Sequence, residues 1–102
     1  MIDDIARHHD ELRILCRRFY VRRLDLFGSA ARDDFDPDRS DIDFLVEFDR
    51  SAPQNPFDTY FGFKEALEEL FGRPVDLVEM GAVRNPYLKA CIEQSRHNVY
   101  VA

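Results

Sequence analysis

Residues 24–48, LDLFGSAARDDFDPDRSDIDFLVEF, decide how the rest of the chain is read. Two apolar runs, 24–27 and 42–48, flank a Gly28-Ser29 turn and an acidic loop in which Pro37 prevents a regular continuation. At the end of that loop Asp41 and Asp43 stand one residue apart. Residues i and i+2 of a strand share a face, so both carboxylates aim at one spot, while Ile42, Phe44, Val46 and Phe48 take the other face. Aspartate is disfavoured inside strands, and two anions a few ångströms apart repel by about 3 kcal/mol at an effective dielectric near 20. Such a pair calls for a cation. The upstream Gly-Ser turn can offer backbone N–H groups and a hydroxyl to a phosphate, helped by a short helical turn over 29–32.

Working outward, residues 3–19 read as one helix. Ile5, Leu12, Leu15, Cys16 and Phe19 form its apolar stripe, Asp3 or Asp4 caps its start, and Arg17 and Arg18 suit the negative end of its dipole. His8 and His9, where the stripe is interrupted, read as half-exposed helix residues rather than ligands. Residues 21–27 form a first strand with Leu24 and Leu26 on one face, and residues 41–48 a second. Residues 57–71 form the next helix: Phe57, Tyr60, Phe61, Lys64, Leu67, Glu68 and Phe71 trace one side, with Phe63, Ala66 and Leu70 widening the arc. Tyr60, Phe61 and Phe63 read as core rather than as ligand stackers. Gly72 and Arg73-Pro74 stop this helix. A strand over 75–79 (VDLVE), a loop over 80–85, a helix from Pro86 to about 96 and a strand over 98–101 follow. The order α-β-(α)-β-α-β-α-β predicts an α+β (α/β-type) layer in which helices cover a mixed sheet.

Asp76 interrupts the apolar run Val75-Asp76-Leu77-Val78, where an unpaired buried carboxylate is costly. A salt bridge to a nearby arginine is one answer. The other is that the third strand pairs with the second, so that Asp76 joins Asp41 and Asp43 in a three-carboxylate cluster. Hard oxygen ligands of that kind suit Mg²⁺, which keeps waters and shares substrate phosphates. An EF-hand reading of Asp36, Asp38, Ser40 and Glu47 fails, because Asp41 stands where that loop needs glycine. Metal-binding acids beside a phosphate cradle imply nucleotide chemistry.

At 102 residues the chain predicts a single domain spanning 1–102, with little material for a separate substrate-binding domain. A hydrophobic share of 45% with 13% aromatics argues against a disordered chain, and a net charge of −6 argues against direct nucleic-acid binding through phosphates. Arg13, Arg17, Arg18, Arg22 and Arg23 crowd one segment, either as a solvated face or as a docking surface for an acidic partner. Cys16 and Cys91 have no metal-ligand spacing and are expected to be reduced and packed in the core. The N-terminus lacks an apolar leader and no run is long enough to span a bilayer, which predicts a soluble cytoplasmic protein.

Gly28-Ser29, eleven intervening residues, Asp41-x-Asp43, and Asp76 in a later strand resemble the signature of the DNA polymerase β-type nucleotidyltransferase superfamily. The wording LFGSAAR…SDIDFLVEF…VDLV is similar to its minimal (MNT) branch, the MntA-type antitoxins of HEPN/MNT toxin–antitoxin systems. The resemblance implies a polymerase β palm-like fold, two Mg²⁺ ions and transfer of a nucleoside monophosphate from an NTP to an acceptor hydroxyl. Asp41 and Asp43 resemble the residues binding both metals, and Asp76 the third carboxylate, which ligates the catalytic metal and helps activate the acceptor. Gly28 and Ser29, with Arg32, resemble the nucleotide-binding turn. Asp33 departs from the glycine that many minimal members carry there. The implied activity is AMP transfer from ATP to a tyrosine of a HEPN-type ribonuclease toxin. A non-enzymatic antitoxin acting by binding alone is the rival, and a small-molecule acceptor a third reading that needs a substrate domain.

Overall fold

The period-two patterns at 21–27 and 42–48 fold as neighbouring strands in a computed structural model that describes residues 2–28, 41–49, 51 and 55–102. The elements run α1 (Ile2–Arg7), α2 (His9–Arg18), β1 (Val21–Phe27), β2 (Ile42–Phe48), α3 (Pro56–Phe71), β3 (Val75–Glu79), a 3₁₀ turn (Met80–Ala82), α4 (Pro86–Ser95) and β4 (His97–Val101). β1 pairs antiparallel with both β2 and β4, whereas β2 and β3 are parallel, giving the sheet order β3-β2-β1-β4. Parallel neighbours need a crossover long enough to return the chain, and α3 supplies it. This is the mixed α+β sheet that the element order predicts.

The single helix expected over 3–19 is two. Between Ile5 and Leu12 only Ala6 is apolar, too small and too early to carry the stripe through, and the chain breaks at His8 (φ −100°, ψ 16°), which lends no side-chain cap. Its ring instead bonds Glu11 at 3.2 Å and meets Phe71 edge-on at 5.6 Å. The expected cap by Asp3 or Asp4 and the turn over 29–32 fall on side chains or residues outside those described.

α3 and α4 share one construction. Asn55 accepts N–H bonds from Phe57 (2.9 Å) and Asp58 (3.5 Å), with Pro56 next. Asn85 accepts from Tyr87 (2.8 Å) and Leu88 (3.4 Å), with Pro86 next. An Asx cap followed by proline satisfies orphan donors and needs no N–H at the first helical position. Gly72, at φ 66°, ends α3.

Leu24, Leu26, Ile42, Phe44, Val46, Val75 and Leu77 form the first face of the sheet and pack against Ile5, Leu12, Cys16, Phe63 and Leu67. The arc expected on α3 needs correction. Its buried line is Thr59, Phe63 and Leu67, while Phe57 and Phe61 are 67% and 46% exposed. They precede Thr59 and Phe63 by two residues, about 200° of helix rotation, so they point away from the sheet and pack on each other at 4.6 Å between ring centres. On the second face Phe27 and Leu45 meet Val83 and Ile92, so α4 covers that side. Cys16 is buried as expected, and burial pushes its thiol up to about 12. Cys91 is exposed, because Ile92 is the residue of that turn facing the sheet.

Two further features bear on the site. α3 covers the β3 edge: Glu68 accepts the Val75 N–H at 3.1 Å, and the Tyr60 hydroxyl donates to the Leu77 carbonyl. In the middle of β1, Asp25 is wholly buried and accepts from Arg96 Nε, from Asn98 Nδ2 at 2.8 Å and from Arg23 Nε at 3.3 Å. Burial alone would raise this carboxyl, but Asn98, Arg96 and Arg23 outweigh it and hold Asp25 below the usual range. Of the arginine group, Arg23 is thus partly spoken for, while Arg13, Arg17, Arg18 and Arg22 are exposed.

Phe63, with no exposed surface, seats α3 on the sheet. Phe63→Ala should cost about 3–5 kcal/mol in urea unfolding.

Candidate active site

One end of the sheet gathers the chemistry. β1 ends there, while β2, β3 and β4 begin there. Asp43 is the second residue of β2 and Asp76 the second of β3, and the parallel register sets them directly opposite. Side chains on paired residues of neighbouring strands share a face, and strands are about 4.8 Å apart, so the two carboxylates are forced together. Asp41 stands just before β2, exposed. Asp43 is half-buried and pushed up to about 6, first by burial and then by the negative charges of Asp76 and Asp41.

Asp76 is exposed rather than buried as its apolar neighbours suggest. β3 is an edge strand, and the second face is open at that point. No ion pair to an arginine is seen for Asp76 among the described residues. Tyr60 lies close enough that its hydroxyl pKa is raised, by burial first and then by Asp76, with Glu79 adding and Lys64 opposing.

Gly28, next to Phe27, the partner of Asp43, is buried with φ 70°. A Cβ there would sit 2.5 Å from Asp43 Oδ2. This glycine is therefore required twice, for its left-handed backbone and for the room it leaves the carboxylate. Its N–H donates to Ser95 Oγ at 3.0 Å, so its own amide is engaged within the protein. Ser29 and Arg32, the other expected nucleotide-binding residues, lie outside the described residues, as does Asp33. Ser95 was missed by sequence reasoning, since a lone serine at the end of a helix carries no signal by spacing. Asp25, in the middle of β1, was missed because its partners Arg96 and Asn98 lie some seventy residues away.

Among the described residues no three of His, Cys, Asp and Glu close on a point as a ready metal cage. The donor set nevertheless fits Mg²⁺: carboxylate oxygens only, with Asp76 and Asp41 near enough to raise the Asp43 carboxyl and both exposed, so that phosphate oxygens and water could supply further ligands.

The chain belongs to the nucleotidyltransferase domain family, whose sequence profile it matches over residues 11–98. It is a nucleotidyltransferase. Two proteins of Methanocaldococcus jannaschii, each named "putative protein adenylyltransferase", are 41% and 39% identical to it over 93 residues, 91% of this chain and 89% of each relative. A solved structure described as a minimal nucleotidyltransferase is 28% identical and superposes with a TM-score of 0.75, covering 93% of this chain and 92% of that one. The same fold recurs in a toxin–antitoxin complex with AMP-PNP (TM-score 0.69, 18% identity, 92% of this chain and 73% of that one). It also recurs in the complex of a tri-AMPylated Shewanella oneidensis HEPN toxin with its MNT antitoxin (TM-score 0.65, 16% identity, 96% and 73%).

Two outcomes test this geometry. Asp43 in the folded protein holds a proton to about pH 6 but in the unfolded chain only to about 3.8. Its contribution is therefore harmless below pH 4, turns unfavourable as pH rises through 6 and stays so above. In metal-free buffer Asp43→Asn should match the wild type near pH 4 and exceed it by about 1–2 kcal/mol at pH 8, after allowance for partial exposure of the carboxyl. Denaturant unfolding at the two pH values reads the difference. Gly28→Ala should instead destabilise by about 2 kcal/mol or more at both, since strain at positive φ adds to the clash.

Proposed function

We propose that Asp41, Asp43 and Asp76 hold two Mg²⁺ ions together with the triphosphate of ATP, and that the protein transfers AMP to a hydroxyl of a partner protein. The observation that carries this reading is the β2–β3 register, which sets Asp43 against Asp76 with no ion pair for either carboxylate among the described residues. The ions would neutralise the triphosphate and lower the pKa of the acceptor hydroxyl. Asp41 and Asp43 would hold both ions. Asp76, on the open edge strand, is the one suited to face the acceptor and take up its proton. Gly28 keeps the floor of the site clear, and Ser29 and Arg32 meet the phosphates. The acceptor oxygen attacks the α-phosphorus, the bond to the β-phosphate oxygen breaks, and pyrophosphate leaves in line.

The acceptor class is a HEPN-type toxin, with tyrosine as the modified residue and inactivation as the outcome. This reading draws on the named company of the structural relatives, an MNT antitoxin with an AMPylated HEPN toxin. With ATP as substrate, the cytoplasm is the compartment of action; no described helix is long and apolar enough to cross a membrane.

Incubation with α-labelled ATP, Mg²⁺ and the toxin tests the proposal. Label should appear on a toxin tyrosine, toxin ribonuclease activity should fall, and chelation should stop both. Asp43→Asn or Asp76→Asn should lower transfer by about 10²-fold or more while the protein stays folded. Neutralisation of the toxin without label would favour antitoxin action by binding alone. Unchanged turnover in either variant would remove the carboxylates from the mechanism.

A further inference from the structure

The proposed reaction leaves unused a polar chain of contacts that runs from the buried middle of the sheet to the site. Arg96 ends α4, and its guanidinium bonds the wholly buried Asp25 of β1 through Nε and Glu93 through Nη1 at 3.2 Å. The last turn of α4 is thereby tied to β1. Ser95 is the residue immediately before that anchor. Its hydroxyl donates to the Cys91 carbonyl at 3.0 Å, which directs its lone pairs outward from the helix, and one of them accepts the Gly28 N–H at 3.0 Å. Gly28 in turn borders Asp43, with room for no side-chain atom between them.

A glycine populates positive and negative φ about equally, so sequence alone does not hold Gly28 at 70°. A buried N–H without an acceptor is costly, and Ser95 offers that acceptor only while the bend keeps this conformation. We propose that Ser95, fixed by the Arg96–Asp25 pair, is a positioning residue for nucleotidyl transfer. Its hydroxyl locks the Gly28 bend, and through it the seat of Asp43. The inference rests on the active-site reading given above.

Ser95→Ala and Ser95→Thr of the full chain test it, with three readouts: transfer of labelled AMP, thermal unfolding, and NMR hydrogen exchange of the Gly28 amide without nucleotide. In Ser95→Ala the KM for ATP should rise about tenfold with kcat changed less than about twofold. The melting temperature should fall by about 4–8 °C with the protein still folded, and Gly28 should exchange about tenfold faster or more. Ser95→Thr, which retains the hydroxyl, should restore both the KM and the slow exchange. Arg96→Gln, which loosens the anchor with Ser95 still present, should also speed the exchange. Unchanged Gly28 exchange in Ser95→Ala overturns the lock. Faster exchange with wild-type KM and kcat leaves the bond structural and overturns the positioning role, as does an equal loss in Ser95→Thr. A wild type that transfers no label overturns both this inference and the active-site reading, whereas an active wild type with any of the preceding results overturns this inference alone.

Discussion

The parallel pairing of β2 with β3 is the constraint on which the rest depends. A ladder fixes which residues stand opposite each other, and here it opposes Asp43 to Asp76 on one face. One step of slippage would turn Asp76 to the face occupied by Phe63 and Leu67, where an unpaired carboxylate could not be kept. The apolar residues on the first face therefore enforce the register, and the register enforces the charge pair. Stability and chemistry are coupled through the same strand, with the core supplying the free energy that holds two anions together.

Around this pair the fold is arranged to leave one side open. α1, α2 and α3 cover the first face, while Val83 and, from α4, Leu88 and Ile92 cover part of the second against Phe27 and Leu45. Beyond that apolar patch, at the sheet end where β2 and β3 begin, Asp41 and Asp76 remain exposed. The contrast with Asp25 is instructive. It lies on the same sheet, more deeply buried, yet Arg96, Asn98 and Arg23 hold it charged. Asp43 has no such company among the described residues and is pushed towards neutrality instead. Among the described residues one carboxylate has its cations beside it and the other has two further carboxylates.

Strand positions, the mixed sheet and the family were legible in the sequence because period-two alternation and the Gly-Ser…Asp-x-Asp spacing are local signals. The approach of Asp76 to Asp43 was legible only conditionally, since it needs a pairing between strands some thirty residues apart. Less was readable where burial depends on rotation about a helix axis. The aromatic run of α3 offered two arcs, and only contact with the sheet selects Thr59, Phe63 and Leu67 over Phe57 and Phe61. The break at His8 and the exposure of Cys91 belong to the same class. The contact of Ser95 with Gly28 spans most of the chain and leaves no trace in composition or spacing.

The cover that α3 places over β3 has a consequence for whatever meets Asp76. An extended segment seeking to join the sheet along that strand would have to displace Glu68 from the Val75 N–H and Tyr60 from the Leu77 carbonyl. Each exchange forfeits an existing bond worth about 1 kcal/mol before any new one forms. Unfolded polypeptide is thus poorly suited to lie there, and so are aggregating neighbours. An acceptor whose backbone is already satisfied, presenting its hydroxyl from a helix or a preformed loop, meets no such penalty; the covered edge filters visitors by their state of folding.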